Sequence, residues 1–518
     1  MTPDAHETTA VEPAASDKAD KDAKPAVIET RRRDRTHSRD RRSDRALISC
    51  GRHAAAQRRE GQGQGVGFLR RLSQAGRGRP GGPAITFSFN GGPGSSSVWM
   101  HLGMLGPRRV LSGDVDSLLP PPHKLADNEF SLLDKSDLVF IDPVSTGFSR
   151  PGPDEDPKQF HTVEADVESV GDFIRLFVSR NDRWLSPKFL IGESYGTTRA
   201  AGLAGYLQDR HGLYLNGLML ISSILNFQTA RFTVGNDLPY VLFLPTFTAT
   251  AWYHGKLPPD LQADRRRALS EVESFAATEY TLALMRGAKL SQEARAATVE
   301  KLARYTGLSP AFIERANLRI TIYRFVKELL RDQGRTVGRI DSRFTGADRD
   351  AAGELFEYDP SMAVTLGAYS AALNAYVRRE LEYASDLPYE ILANLYENWG
   401  YDKHQNQFLN VAETLRSAMN KNRFLKVFVA NGYYDLATPY FATEYTFNHL
   451  GIDAELQRNI SMAYYDAGHM MYIHEPSLAR LKQDLADFVD TTLGSRLRWH
   501  HTTGRRAWTS TPRPAPST

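Results

Sequence analysis

Residues 188–212 read KFLIGESYGTTRAAGLAGYLQDRHG and contain the strongest indication of the fold. A short apolar run leads into GESYG at 192–196, and a helical pattern follows until Gly212. The pattern G-x-S-x-G between a strand and a helix is typical of a nucleophilic serine, because only minimal neighbours fit around the strained turn that carries it. We therefore predict that Ser194 is a nucleophile whose hydroxyl lies at the edge of a sheet.

The sequence on both sides of this stretch alternates in a similar way. Apolar strands are predicted at 84–89, 136–142 and 215–223, and a helix is predicted at 161–180. Short apolar strands that alternate with amphipathic helices indicate a mostly parallel sheet with helices on both faces. A serine on a strand-to-helix turn of such a sheet is typical of the α/β-hydrolase fold, which we therefore predict.

The pattern changes along the chain and divides it into five segments. From about residue 230 to 400 it is helical, with Gly, Pro and Ser at the breaks, which indicates an inserted helical cap. The alternation of strands and helices then resumes. We predict a disordered segment at 1–80 and the first half of the core at 81–229. The cap follows at 230–400, the second half of the core at 401–495 and a disordered basic tail at 496–518.

The composition argues against several kinds of partner. Hydrophobic residues make up 41% of the 518 residues and charged residues 24%, as in ordinary soluble globular proteins. Residues 1–80 hold 18 basic and 11 acidic residues, and residues 496–518 hold five arginines and no acidic residue. Because the net charge is only +3, the body between them is negative, and we expect neither nucleic acid nor an anionic membrane as its main partner.

Cysteine content and the lack of long apolar segments limit the chemistry and the location. Cys50 is the one cysteine, so no intrachain disulfide and no cysteine-based zinc site can form. Residues 1–30 lack the cationic start and apolar run of a secretory signal, and the apolar segment 238–245 is much shorter than the roughly 20 residues that span a bilayer. We expect no metal, no cofactor and no membrane span, and a cytoplasmic location by default. The oligomeric state does not follow from the sequence.

Two later strands end next to residues that could assist the serine. A serine hydroxyl is a poor nucleophile at neutral pH and needs a general base with an orienting carboxylate. In this fold the two follow the serine in the order Asp, His, each after a later strand. Asp435 and His469 each follow a predicted strand of the second half, so we predict them in these roles. Asp466 and His474 are nearby alternatives that lie less directly at a glycine turn.

A glycine-dense loop, NGGPG at 90–94, follows the first strand of the core. The oxyanion formed by attack on a carbonyl needs two preorganised N–H donors. The N–H of Tyr195 is one by geometry, since it follows the serine at the start of a helix. Consecutive glycines let backbone N–H groups approach a ligand closely, so the loop is the natural source of the other donor. The alternative is a tight turn without a chemical role.

Five motifs together resemble those of the serine carboxypeptidase family. FNGGPGSSS, IDPVSTGFS, IGESYG, NGYYDLATP and AGHMMYIHEP occur in the family order, and the match extends from about residue 84 to 492. The resemblance implies that Ser194, Asp435 and His469 form a catalytic triad. It also implies that the enzyme releases the C-terminal residue of peptides through an acyl-enzyme.

The resemblance implies further site residues. Gly92 and Tyr195 would supply the N–H groups of the oxyanion hole, and Asn90 and Glu193 would bind the terminal carboxylate of the peptide. A glutamate beside a bound carboxylate should have a raised pKa, and when it is protonated it can donate a hydrogen bond to that carboxylate. We therefore expect exopeptidase activity to favour acidic pH.

Three positions depart from the family pattern. Met104 stands where the family commonly has Glu, so part of the carboxylate-binding network is missing. Ser95 stands where a cysteine often follows GGPG, and Thr197 stands where many members have a second glycine. The first departure favours an esterase or acyltransferase on the same triad as the alternative. Outside enzymes, the alternative is a weakly active or inactive binding protein with a basic N-terminal arm.

Residues 31–80 are unusual for the place they occupy. Family members resemble one another in opening with antiparallel strands here, whereas this stretch is rich in Arg, Gly, Gln and Ser. Its only β-branched residues are Thr36, Ile48 and Val66, so we predict no strands. It could be a basic arm for an anionic partner, a solvated low-complexity segment, or a stretch read from a displaced frame, which we favour. The coding DNA in the other two frames tests the last hypothesis.

Overall fold

The computed structural model of the chain describes residues 47–52, 68–73, 82–115 and 117–502. Within these ranges it contains twelve strands and fifteen α-helices. The strands are β1 (Leu47–Arg52), β2 (Phe68–Ser73), β3 (Ile85–Phe89), β4 (Arg108–Leu111), β5 (Lys124–Asp127), β6 (Asp137–Asp142), β7 (Lys188–Ser194), β8 (Gly217–Ser223), β9 (Thr336–Val337), β10 (Thr345–Gly346), β11 (Lys426–Gly432) and β12 (Ile460–Tyr465). The helices are α1 (Val98–Met100), α2 (Val163–Arg180), α3 (Tyr195–His211), α4 (Leu238–Tyr253), α5 (Pro259–Gln262), α6 (Arg265–Phe275), α7 (Thr281–Arg286), α8 (Gln292–Thr306), α9 (Pro310–Arg315), α10 (Ile322–Glu328), α11 (Pro360–Arg379), α12 (Ala412–Lys421), α13 (Tyr440–Asn448), α14 (Ala454–Gln457) and α15 (Glu475–Thr502).

Eight of these strands form one sheet in the order β1-β2-β6-β3-β7-β8-β11-β12. The six strands from β6 to β12 in this order pair in parallel, whereas β1 and β2 are antiparallel to their neighbours. Every residue of β3, β6 and β8 is buried, as expected for strands that are covered on both faces. The predicted α/β-hydrolase fold with a mostly parallel sheet is confirmed.

Helices cover both faces of the sheet. Successive side chains of a strand point to opposite faces, so Leu190 and its neighbour Ile191 belong to different hydrophobic clusters. Leu190 shares one cluster with Ile174 of α2, and Ile191 shares the other with Leu373 of α11 and Leu481 of α15. Burial on both faces fixes the register of the central strands, because a shift by one residue would exchange the two sets of side chains.

The sequence predicts no strand between residues 31 and 80, and this prediction is wrong at β1 and β2. β2 pairs with β6 from Phe68 opposite Asp142 to Leu72 opposite Leu138, and β1 pairs with β2. Strand pairing uses backbone groups that every non-proline residue has, and without β2 the edge of β6 would be open. The sheet therefore has antiparallel strands at this edge, and the displaced-frame hypothesis stays a prediction. The other residues of 1–80 lie outside the described residues.

The last helix is longer than predicted. α15 continues to Thr502, beyond the predicted start of the disordered tail at Arg496. The chain contains no Pro or Gly between Gly494 and Gly504 that would end the helix. Residues 503–518 lie outside the described residues. In the part of the chain that the structure describes, no helix has the length and apolar character needed to cross a membrane.

Between β8 and β11 the chain is mostly helical, as predicted for a cap. Helices α4 to α10 share a hydrophobic cluster of their own, in which Phe247 stacks on Phe325 with ring centroids 4.1 Å apart. The same cluster includes Tyr434 and Leu436, which flank Asp435 after β11. The hydrophobic core of the cap therefore reaches the loop of the predicted acid. The segment boundaries at 230 and 400 stay predictions.

Candidate active site

Ser194 lies on a strained turn between β7 and α3. Its backbone has φ 60° and ψ −129°, a conformation that side-chain-bearing residues rarely adopt and that costs about 1–3 kcal/mol. Ser194 pairs with Ser223 of β8 after a register shift that follows Glu193. Glycine is required before the turn, because a Cβ on Gly192 would lie 2.2 Å from the carbonyl oxygen of Gly196. The turn that the motif predicts is present, and the nucleophilic role of Ser194 stays a prediction.

Asp435 and His469 form a buried hydrogen-bonded pair. His469 Nδ1 lies 2.8 Å from Asp435 Oδ2. The Oδ1 atom of Asp435 accepts hydrogen bonds from the N–H groups of Ala437 at 2.8 Å and Thr438 at 2.9 Å, and Oδ2 accepts one from Thr438 Oγ1 at 2.7 Å. These donors fix the carboxylate. Because Nδ1 of His469 is engaged, Nε2 is the ring nitrogen that can exchange a proton with a reacting group.

The environment of His469 favours its charged form. Burial opposes the charge, but the carboxylate of Asp435 outweighs burial through its charge and its hydrogen bond, so the pKa of His469 is raised. The carboxylate of Glu193 acts in the same direction. A raised pKa suits a residue that must take a proton during a reaction and hold it until the leaving group departs.

The three predicted triad residues lie at the same edge of the sheet, where their parallel strands end. Ser194 is the last residue of β7, whereas Asp435 and His469 follow β11 and β12, and β8 lies between β7 and β11. Ser222, near the end of β8, donates its hydroxyl to the carbonyl oxygen of His469 at 2.7 Å. This bond ties the loop of the predicted base to the strand next to the serine turn.

The glycine loop at 90–94 packs directly against the serine turn. A Cβ on Gly91 would lie 2.4 Å from the backbone nitrogen of Tyr195, so no side chain fits there. Gly92 has φ 104°, which favours glycine. The loop that carries Gly92 therefore contacts the backbone at Tyr195, the other predicted donor of the oxyanion hole. Their role in binding an oxyanion stays a prediction.

Arg199, a buried residue of α3 that sequence reasoning missed, fixes this loop. Arg199 Nη1 donates to the carbonyl oxygen of Asn90 at 2.7 Å, and Nε donates to Asp166 Oδ2 at 2.8 Å. Its guanidinium lies over the rings of Phe89 and Tyr195, 5.4 and 5.5 Å from their centroids. The available signal was a single arginine in the otherwise uncharged start of the helix, TTRAAGLAG.

Asn90 and Glu193, the residues predicted to bind a carboxylate, are bonded to each other. Asn90 Nδ2 donates to Glu193 Oε2 at 3.0 Å, and the Tyr472 hydroxyl donates to the same oxygen at 2.7 Å. Burial raises the pKa of Glu193 to about 7, although the charge of His469 and the hydrogen bonds from Tyr472 and Asn90 act against it. Because both donors engage Oε2, the proton of the neutral acid belongs on Oε1.

Met104, at the position where the resemblance implies a glutamate, is an apolar and buried side chain. It lies in the π-helical turn His101–Leu105 and is 2% exposed. Next to it, a Cβ on Gly103 would lie 2.5 Å from the ring of Tyr472 and 2.8 Å from the hydroxyl of Tyr369. Two tyrosines therefore lie against Gly103, the residue before Met104, and one of them, Tyr472, supplies a donor to Glu193. Sequence reasoning missed Tyr472 because its local sequence pattern does not predict a contact with the distant residue Glu193.

The two alternative residues are engaged elsewhere. Asp466 Oδ1 lies 2.5 Å from Arg265, and the side chain of Asp466 is 57% exposed. His474 Nδ1 lies 2.7 Å from Ser477 Oγ, within the first turn of α15. Neither residue takes the place of Asp435 or His469 in the buried pair.

The fold and the geometry of this site define the class of protein, an α/β-hydrolase with a serine at the turn after its central strand. Residues 77–475 match the family described as serine carboxypeptidase, and the chain belongs to this family. It is therefore an enzyme of the serine carboxypeptidase type, as the five motifs predict. Comparison with the curated proteins found no match.

Solved structures similar to the chain include several hydrolases. Kex1(delta)p, a prohormone-processing carboxypeptidase from Saccharomyces cerevisiae, matches with a TM-score of 0.53 and 16% identity over 87% of this chain and 91% of that chain. A proline iminopeptidase from Mycobacterium smegmatis matches with a TM-score of 0.36 and 13% identity over 83% and 97% of the chains. A thermophilic esterase from Thermogutta terrifontis matches with a TM-score of 0.32 and 11% identity over 86% and 99%. At such identities the likeness to Kex1(delta)p shows the fold alone.

Proposed function

We propose that the enzyme hydrolyses the last peptide bond of a peptide through an acyl-enzyme. Ser194 is the nucleophile, His469 the general base and Asp435 the orienting carboxylate in this proposal. The observation that carries it is the 2.8 Å contact between His469 Nδ1 and Asp435 Oδ2, at the same sheet edge as the strained serine turn. A base oriented in this way is what a serine hydroxyl needs to become reactive at neutral pH.

The reaction follows from these roles. Ser194 Oγ attacks the scissile carbonyl while its proton passes to His469 Nε2, and Asp435 stabilises the imidazolium. The N–H groups of Gly92 and Tyr195 bind the oxyanion, and loss of one such donor typically costs about 3–4 kcal/mol. His469 then protonates the leaving amine, the C–N bond breaks and the acyl group stays on Ser194 as an ester. Water attacks the ester with His469 as base, and the proton returns to Ser194 as the shortened peptide leaves.

Asn90 and Glu193 give this reaction its specificity for a free C-terminus in the proposal. Neutral Glu193 can donate its Oε1 proton to a substrate carboxylate, whereas the charged form would repel it. The pKa of Glu193 is raised to about 7 by burial, so the donor form is present below that pH and is lost above it. Relative to amide-capped peptides, which need the same base, we expect hydrolysis of peptides with a free C-terminus to fall as the pH rises through about 7.

Met104 favours a second candidate function on the same triad. In place of the glutamate that the resemblance implies at position 104, the chain has a buried thioether that cannot donate a hydrogen bond to a carboxylate. A site with weaker recognition of the C-terminus would accept esters or transfer acyl groups to another acceptor. The second candidate is therefore an esterase or acyltransferase.

Two measurements test the proposal. A fluorophosphonate probe labels the wild-type enzyme and leaves Ser194→Ala unlabelled if Ser194 is the nucleophile. Hydrolysis of a blocked dipeptide with a free carboxylate is then compared with hydrolysis of the same dipeptide capped as an amide. The peptidase proposal expects a strong preference for the free carboxylate at pH 5–6. Equal turnover of both substrates would support the esterase or acyltransferase, and equal labelling of Ser194→Ala would refute the triad.

A further inference from the structure

A turn of the cap contacts both sides of the predicted acid. The turn consists of residues 339–343, at the tip of the hairpin formed by β9 and β10, and is called the cap turn below. The carbonyl oxygen of Arg339 accepts a hydrogen bond from Leu436 N at 3.1 Å, and Ser342 N donates to the carbonyl oxygen of Tyr434 at 2.9 Å. These two bonds hold the residues immediately before and after the acid.

The cap turn also contacts the loop of the predicted base. His469 N donates to the carbonyl oxygen of Ile340 at 2.7 Å, and Gly468 N donates to Asp341 Oδ2 at 3.1 Å. The fit is close, since a Cβ on Gly468 would lie 2.4 Å from the Cβ of Asp341. A single short segment thus bonds to the backbone of the acid loop and of the base loop.

Asp341 is the charged centre of this arrangement. Arg343 Nη2 donates to Asp341 Oδ2 at 2.7 Å, Arg343 Nε donates to Oδ1 at 3.0 Å, and both side chains are at most 4% exposed. Arg343 also pairs with Asp114 at 3.2 Å. A buried carboxylate with this many charged and neutral donors has one orientation, and loss of its charge leaves a buried cation with a weaker partner.

The cap turn is anchored to the rest of the cap by further polar contacts. The hydroxyl of Ser342 lies 2.7 Å from Oγ1 of Thr250, which is in α4. The backbone carbonyl oxygen of Ser342 lies 2.7 Å from Nε2 of His254, the residue that follows α4. On its other side the N–H groups of Arg339 and Ile340 donate to the Asp359 carboxylate at 3.2–3.3 Å. The position of the acid and base loops is thereby linked to the packing of the cap.

We propose that Asp341 is a positioning residue for the acid–base pair, an inference that rests on the proposed function. By holding Gly468 N–H and the cap turn, it keeps the imidazole of His469 aligned between Asp435 and the serine. Asp341 is 1% exposed and fully engaged, so it acts through His469 and not on the substrate. Its loss therefore lowers the rate of bond breaking for every substrate, and substrate binding changes little.

The test compares two ion-paired aspartates of the cap whose side chains are at most 5% exposed, each substituted in the full chain. Asp341→Asn is expected to lower kcat about 10- to 100-fold on both a blocked dipeptide and a p-nitrophenyl ester, with KM changed less than about 3-fold. The matched control is Asp348→Asn, because the side chain of Asp348 is 5% exposed and is bonded to Lys327, Thr336 and the N–H of Glu357, all within the cap. The control is expected to lose a similar amount of thermal stability while kcat stays within about 2-fold.

The outcomes separate the inference from the function on which it rests. Wild-type kcat in folded Asp341→Asn, or an equal loss of kcat in Asp341→Asn and Asp348→Asn, overturns the inference. If unpaired Arg343 prevents folding of the single variant, the double variant Asp341→Asn with Arg343→Gln removes the buried cation, and the same kcat criterion applies to it. A wild-type enzyme that turns over neither substrate and resists the fluorophosphonate contradicts the proposed function instead.

Discussion

The two sides of the site are held in place by different means. On the serine side, backbone segments approach so closely that glycine is required, as at Gly91, where a Cβ would lie 2.4 Å from Tyr195 N. On the acid–base side, side chains and charges from the cap support the loops, as in the bond between Gly468 and Asp341, which are 127 residues apart. The serine side therefore depends on glycines in two short motifs, whereas the acid–base side depends on polar side chains that a distant segment of the cap supplies.

Asp435→Asn removes the carboxylate of the acid–base side, and its expected effect on kcat is the largest of the three variants. An amide in place of the carboxylate cannot stabilise the imidazolium of His469 and can favour the wrong ring tautomer. We expect kcat on a blocked dipeptide to fall about 10⁴-fold, as measured by steady-state kinetics at pH 6. The control is Asp466→Asn, since Asp466 is half-exposed, pairs with Arg265 and lies outside the buried pair. A loss below about 10-fold in Asp435→Asn would mean that another group orients the base.

Gly91→Ala disturbs the packing of the glycine loop on the serine side. The added methyl group would push the glycine loop away from Tyr195 N and misplace the donors of the predicted oxyanion hole. We expect kcat to fall about 10²- to 10³-fold, the cost of losing one such donor. Gly494→Ala serves as the control, because a Cβ there meets no atom within 4 Å. Wild-type kcat in Gly91→Ala would show that the loop has no part in the chemistry.

The same contrast explains what could be predicted from the sequence. Gly192, Ser194 and Gly91 lie in short motifs in which each glycine has a steric reason that can be stated without a structure. Asp435 and His469 follow from the order of strands, because strands of a parallel sheet end at one edge. The fold, the family and the position of the predicted triad residues at that edge therefore follow from local patterns alone.

The residues that were missed have partners far away in the sequence. Arg199 on the glycine loop, Tyr472 on Glu193 and Asp341 on Gly468 are ordinary polar residues until packing joins them. The strands β1 and β2 were missed for a related reason. A segment with few β-branched residues can still form a strand when the edge of a sheet offers a backbone to pair with. β6 offers such an edge to β2, and the residue types of β2 do not show it.

Tyr472→Phe tests recognition of the C-terminus and leaves both sides of the triad in place. Its expected effect on activity is the smallest of the three variants. The hydroxyl of Tyr472 donates to Glu193 Oε2 and stabilises the charged form of that acid. Without it the pKa of Glu193, already raised by burial to about 7, rises further. The neutral donor form then persists to higher pH, so we expect the alkaline limb of kcat/KM for a blocked dipeptide to move to higher pH.

The pH profile of the amide-capped dipeptide is the internal reference for this prediction. It has no carboxylate for Glu193 to bind, so its alkaline limb is expected to stay in place. Tyr280→Phe is the matched variant, since the buried hydroxyl of Tyr280 donates to the carbonyl oxygen of Leu318 within the cap, away from Glu193. An alkaline limb that moves to lower pH in Tyr472→Phe, or that moves equally for both substrates, would show that neutral Glu193 does not read the C-terminal carboxylate. Recognition of the C-terminus would then have to come from groups other than Asn90 and Glu193.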